Sequence, residues 1–122
     1  KNIGLEIAID DPGMTLYADF HQIEQVLINL VKNASESLKN IEQGVIRVKA
    51  IQSGQQIEIQ VEDNGPGIRD KIRDQIFVPF FSTKQGGTGI GLSLSRQIMN
   101  NHEGTIQFSS IPKQKTVFTL IF

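Results

Sequence analysis

Three kinds of residue in this chain could do chemistry together. Asn29 and Asn33 lie four apart in QVLINLVKNA, Asp63 opens DNGPGI, and Lys84 closes FVPFFSTK just before GGTGIGLSLS. Glycine-rich turns suit backbone N–H groups wrapped around phosphates, above all where a turn runs into a helix N-terminus. Gly87, Gly89 and Gly91 fall at such a place, although Gly65, Gly67, Gly86 and these three could equally be loop residues chosen for positive φ. A pair of amides suits a hard cation, because Mg²⁺ takes oxygen ligands and keeps several waters. On a wet helix face the same amides are ordinary polar filler. Lys84 can reach a phosphate as a point charge, or simply be a solvated loop lysine.

The elements that must position these groups follow from periodicity. Ile3, Leu5, Ile7 and Ile9 alternate as in a strand until Asp10-Asp11-Pro12-Gly13 breaks it, and a short second strand is expected over Met14 to Ala18. Asp19, with Gln22 three residues on, has the spacing of a capping box, and the helix it starts is expected to run to about Lys39. Ile23, Val26, Leu27, Leu30, Ala34 and Leu38 form its apolar stripe; Gln22, Gln25, Asn29, Asn33 and Glu36 form a second stripe, mostly of amides. Asparagine is a mediocre helix former, so two inside a good helix ask for a reason beyond propensity.

Val45 to Ile51 and Gln56 to Glu62 read as a hairpin around Ser53-Gly54, with Arg47 and Lys49 sharing the outer face with Glu58 and Glu62. Continued in phase with Ile57, Ile59 and Val61, Asp63 points inward. A carboxylate there needs a donor. The amine of a purine would serve, and so would the N–H groups of the following turn in an Asx arrangement. Asp70 to Ile76 reads as one or two helical turns, Phe77, Phe80 and Phe81 as core residues anchoring a flap over Ser82–Gly87, and the segment from about Thr88 to Met99 as a helix ending near Gly104. Thr105–Ile111 and Thr116–Phe122 close the chain as paired strands. His102 falls at a helix end, where a cationic side chain is favoured, and His21 in the first turn of the long helix; neither belongs to a nucleophile or metal constellation.

Composition bounds the rest. At 122 residues, 39% of them hydrophobic, the chain fits one domain with a real core. A net charge of -1 offers no general attraction to nucleic acid, and the absence of cysteine excludes disulfides and thiolate metal sites. No apolar run approaches the about 18 residues of a membrane span. The chain begins at Lys1 rather than Met, as a piece cut from a longer protein would.

Taken in order and spacing, QVLINLVKNA, DNGPGI, FVPFFSTK and GTGIGLSLS resemble the N box, first glycine box, F box and second glycine box of the catalytic, ATP-binding domain of sensor histidine kinases. The wider superfamily contains gyrase, heat-shock chaperones and mismatch-repair ATPases. The resemblance covers nearly the whole chain from Asp19 onward. It implies an α/β (α+β) two-layer sandwich of the Bergerat type, a mixed, mostly antiparallel sheet packed on about three helices, with a flexible ATP lid over roughly Gly67 to Gly87. It implies that Asp63 recognises the adenine amino group, that Gly65 and Gly67 let the base approach, and that Ile68 and Phe77 lie near it. Asn33, with Asn29 one turn before it, corresponds to the Mg²⁺ and phosphate position. Gly87, Thr88, Gly89, Ile90 and Gly91 correspond to the phosphate-facing turn, Leu92 to a residue beneath the base or the helix, and Thr83 and Lys84 to the end of the lid. Glu36 stands where the family often has a basic residue, so no basic phosphate contact is expected from the long helix. The late glycine–threonine pattern is only partly kept at Lys115–Phe118, leaving Thr116 as a secondary site candidate.

Position 29 separates branches of the superfamily. The hydrolytic branches typically place there a glutamate that activates water, and an amide cannot accept that proton. A kinase needs no such base, because phosphoryl transfer is mainly positioning and charge stabilisation. The resemblance therefore implies transfer of the γ-phosphoryl group of ATP to a histidine on a separate dimerisation domain, and onward to a response regulator. Neither histidine of this chain sits in the family's acceptor motif, H-E-x-x-x-P. The alternatives are a nucleotide-binding module without transferase activity and a related ATPase or serine kinase. The expected setting is cytoplasmic for this domain, with membrane anchoring open for the intact protein; the chain itself is expected to be monomeric and the intact protein a homodimer.

Overall fold

A computed structural model describes residues 2–81 and 89–122. A mixed sheet of five strands runs in the order β1-β2-β3-β5-β4, with β1 (Gly4–Ile9), β2 (Val45–Ser53), β3 (Gln56–Asp63), β4 (Thr105–Ile111) and β5 (Lys115–Ile121). β1 is parallel to β2 and the other neighbours are antiparallel. Helices α1 (Phe20–Ser37) and α2 (Gly91–Asn101), with a short 3₁₀ helix over Asp70–Gln75, complete the two-layer α/β sandwich.

The core forms because the apolar phases of these elements meet. α1 contributes Ile23, Val26, Leu30 and Ala34, with Leu38 just beyond its end; the sheet contributes Ile46, Val61, Phe118 and Leu120, and α2 contributes Ile98 and Met99. Asp19 caps α1 as expected, its carboxylate accepting from Gln22 N–H at 3.0 Å. The hairpin register sets Arg47 opposite Glu62 and Ile46 opposite Asp63. On the outer face Arg47 also meets Glu6 of β1, at 2.8 Å, as well as Glu62 at 3.2 Å. The hydrogen bond and the charge of Glu6, then Glu62, raise the arginine pKa above its ordinary value.

Four expectations change. Met14–Ala18 is not a strand: Asp11 closes a turn on Gly13 and Met14, and β1 pairs only with β2, so no ladder receives the segment. α1 ends at Ser37 rather than near Lys39, within the usual fraying of a last turn. α2 begins at Gly91, three residues later than expected, because Gly89 has φ of +73° and its carbonyl accepts from Phe80 N–H at 2.8 Å. Phe80 is not a core residue but 80% exposed, since its own backbone is left-handed with φ of 68° and turns the ring outward. Phe77 keeps the expected inward role, packed edge-on against Phe118 and tilted against Phe108.

Candidate functional site

A cleft of about 440 Å³ opens between the amide face of α1 and the start of α2, a size suited to a small-molecule ligand. Gln25, Asn29, Lys32, Asn33 and Glu36 line it from α1, and Gly89, Ile90, Gly91 and Leu92 from the glycine turn. Gly67, Ile68, Ile72, Ile76 and Phe118 supply a more apolar end. The amide stripe is therefore no face spent on solvent alone.

Each wall is held by identifiable contacts. Gly67 has φ of +78°, and a Cβ there would lie 2.7 Å from Ile111 O and 2.8 Å from Ser110 Oγ. Only glycine lets this loop lie flat against the β4–β5 turn, where Ile68 N–H donates to Ser110 Oγ at 2.6 Å and Lys113 N–H donates to Pro66 O. Opposite, Asn29 Nδ2 donates to Gly91 O and to Ser95 Oγ, both at 3.3 Å, while Gln25 Nε2 donates to Asn29 Oδ1 at 3.0 Å. A carbonyl oxygen has two lone pairs, so that last bond does not exhaust Asn29 Oδ1.

Asp63 is 4% exposed at the end of β3, facing the core side as its phase requires. One carboxylate oxygen accepts from Gly65 N–H at 2.9 Å, so the Asx arrangement is present. That bond uses one of about four lone-pair directions of a carboxylate. Asp63 is not itself part of the cleft wall; Ser37, which is, lies near it, since a Cβ on Gly65 would come within 2.9 Å of Asp63 Oδ1 and 3.2 Å of the Ser37 Cβ. Thr116, 5% exposed, is its cross-strand partner on β5.

The structure thus brings Asn29, Asn33, Gly67, Ile68, Gly89, Ile90, Gly91 and Leu92 to one cleft. Asp63 and Thr116 pair across the ends of β3 and β5, and with Gly65 they do not line it; Phe77 packs with the core, the Arg96 guanidinium lying 5.2 Å from its ring centroid. Thr83, Lys84, Gly87 and Thr88, with the flap over Ser82–Gly87, fall outside the described residues. Sequence reasoning missed Lys32, Ile72, Ile76 and Phe118. Lys32 was findable, being three residues from Asn29 on the same helical stripe, and it places a basic side chain on this wall from the helix expected to supply none. Ile72 and Ile76 are i,i+4 neighbours whose direction depends on how the 3₁₀ helix docks.

His102 caps α2 and joins it to the start of α1. Its Nδ1 lies 2.8 Å from Ile98 O, and its Nε2 lies 3.1 Å from Asp19 N, a geometry that the Nδ1–H tautomer satisfies at both nitrogens.

Comparison with known proteins places this arrangement. The family described as histidine kinase-, DNA gyrase B-, and HSP90-like ATPase matches residues 18–122. The signal transduction histidine-protein kinase AtoS of Escherichia coli (strain K12) is 41% identical over 114 residues, which span 93% of this chain and only 18% of AtoS. The nucleotide-free catalytic domain of histidine kinase ThkA superposes with a TM-score of 0.86 at 34% identity, covering 98% of this chain and 79% of that domain. ThkA in complex with the response regulator protein TrrA gives 0.81 at 31% identity, covering 98% of this chain and 34% of that one. Full-length ShkA in complex with AMPPNP gives 0.83 at 26% identity, covering 98% of this chain and 25% of that one.

Proposed function

Because the chain belongs to the histidine kinase-, DNA gyrase B- and HSP90-like ATPase family, and within it to the catalytic domains of histidine kinases, we propose that it binds ATP with Mg²⁺ and donates the γ-phosphoryl group to a histidine of a dimerisation domain. The observation that carries this is the amide wall of α1 facing the glycine turn of α2 across one cleft, with an apolar end opposite. We assign residues 1–122 to this one domain; the in-register pairing of β1, ahead of the family match, with β2 supports including the N-terminal segment.

The roles follow from position. Asp63 accepts from the adenine amine, Gly65 and Gly67 give the base room, and Ile68 and Leu92 pack on its faces. The free N–H groups at the start of α2 receive phosphate oxygens from Gly89 to Gly91. Lys32 adds positive charge to this wall; Lys84 is assigned the same role, and Thr83, Gly87 and Thr88 are assigned hydrogen bonds donated to phosphate oxygens. The cleft fits a hard cation, because the α1 wall offers amide and carboxylate oxygens and no soft ligand. Asn33, with Asn29 beside it, would hold Mg²⁺, which supplies neutralisation of phosphate charge. Asn29 cannot act as a general base, which disfavours efficient hydrolysis and supports transfer of the phosphoryl group to an external imidazole.

The intact protein extends beyond this domain, as the 18% share of AtoS suggests. Its remaining parts carry the acceptor histidine and form a homodimer, and a response-regulator aspartate receives the phosphoryl group; the solved ThkA–TrrA complex supports such a partner. Among the described residues no helix is long and apolar enough to cross a membrane, and the domain works in the cytoplasm.

The test is transfer in trans. The chain, radiolabelled ATP, Mg²⁺ and a separately supplied acceptor domain should yield acid-labile, alkali-stable label on the acceptor histidine. ATP binding without any transfer would reduce the domain to a nucleotide-binding module, and label on serine would overturn the histidine assignment.

A further inference from the structure

Ser95 is a hydroxyl with 0% exposure on a helix whose other buried positions are Ile98 and Met99. Serine is a poorer helix former than alanine, and a buried hydroxyl is tolerated only when hydrogen-bonded. Ser95 Oγ donates back to Gly91 O at 2.9 Å and accepts from Asn29 Nδ2 at 3.3 Å. Gly91 O therefore takes hydrogen bonds from two side chains, one on each helix.

This joint decides which way Asn29 faces. Gly91 O can only accept, so the amide nitrogen must turn toward it, and the amide oxygen then turns toward Gln25 Nε2. The helix pair is held a second time at its far end, where His102 Nε2 accepts from Asp19 N–H. The glycine turn is held from its other side as well, by Phe80 N–H on Gly89 O. With both ends of the pair and both sides of the turn tied, α1 and α2 have one register.

We propose that Ser95 is a positioning residue for the phosphate end of the nucleotide, acting through Asn29 and Gly91; this rests on the nucleotide assignment above. Ser95 touches no ligand. Its hydroxyl orients the Asn29 amide and fixes the glycine turn at the distance from Asn33 that a triphosphate with its cation requires. Adenine, held at the other end of the cleft by the Asp63 strand end, is independent of it.

Ser95→Ala isolates the hydroxyl, since alanine is nearly the same size and favours the helix. Titration of the 122-residue chain with ATP plus Mg²⁺, and separately with AMP, reads the phosphate end against the base end. The variant should lose about three- to ten-fold in ATP affinity, as for one or two hydrogen bonds, and less than two-fold in AMP affinity. A purely structural role would shift both nucleotides alike, and that result, or no shift in either, overturns the proposal. In an Asn29→Ala background the serine change should have little further effect on ATP affinity; additive losses would overturn action through Asn29. A wild-type chain that binds neither nucleotide refutes the nucleotide assignment itself, whereas wild-type binding with an unchanged ATP-to-AMP ratio in the variant refutes only the role of Ser95.

Discussion

Replacing Asp63 by asparagine tests the base end of the cleft while leaving its shape nearly intact. Asp63 Oδ1 accepts from Gly65 N–H at 2.9 Å. An asparagine oxygen can keep that bond, so the turn into DNGPGI should survive. The bond loses its charge assistance, worth about 1 kcal/mol, or a fall in Tm of about 3–5 °C for a chain of this size. Nucleotide binding should suffer more. The asparagine nitrogen would point a donor at the adenine amine, itself a donor, and a hydrogen bond to a charged group contributes about 1.5–3 kcal/mol. ATP affinity should therefore fall about 10- to 150-fold, with AMP losing a similar factor because the change lies at the base. Calorimetric titration with both nucleotides, beside a thermal melt, gives the two quantities separately. ATP affinity within two-fold of wild type in a folded variant would refute the adenine assignment.

Other perturbations address the scaffold. Gly67→Ala forces a left-handed alanine at φ of +78° and a Cβ 2.7 Å from Ile111 O, so urea denaturation should show a loss of about 2–4 kcal/mol, with the Ile68–Ser110 bond given up. Leu30→Ala removes a side chain only 1% exposed and should cost about 2–5 kcal/mol in the same experiment. Asp19→Ala deletes the carboxylate bound to Gln22 N–H and should cost about 1 kcal/mol; a loss below about 0.3 kcal/mol, against the usual range for caps, would show that His102 on the Asp19 N–H already holds the start of α1.

Much of this protein is legible without coordinates, because local rules and tertiary demands agree. The cap at Asp19 and the apolar stripe from Ile23 to Leu38 fix α1, and period-two alternation fixes the β2–β3 hairpin and sends Asp63 inward. Such patterns depend on neighbours within a few residues, and each face has one side that must be buried. What the amide stripe faces was not decidable this way, since solvent and a ligand cleft ask for the same polar residues. Tertiary contact decided it: α2 docks so that Gly91 and Ser95 meet Asn29, and the same docking puts Lys32 in the wall. Phe80 turned outward, its backbone at positive φ and its N–H bonded to Gly89 O, and Met14–Ala18 follows the Asp11 turn without joining either edge of the sheet. The sequence by itself determined which residues are inside each element and what chemistry they carry. Which of them meet across the cleft, and which atom of an amide faces its neighbour, depended on contacts between residues some sixty positions apart, such as Asn29 and Gly91, that no local period encodes.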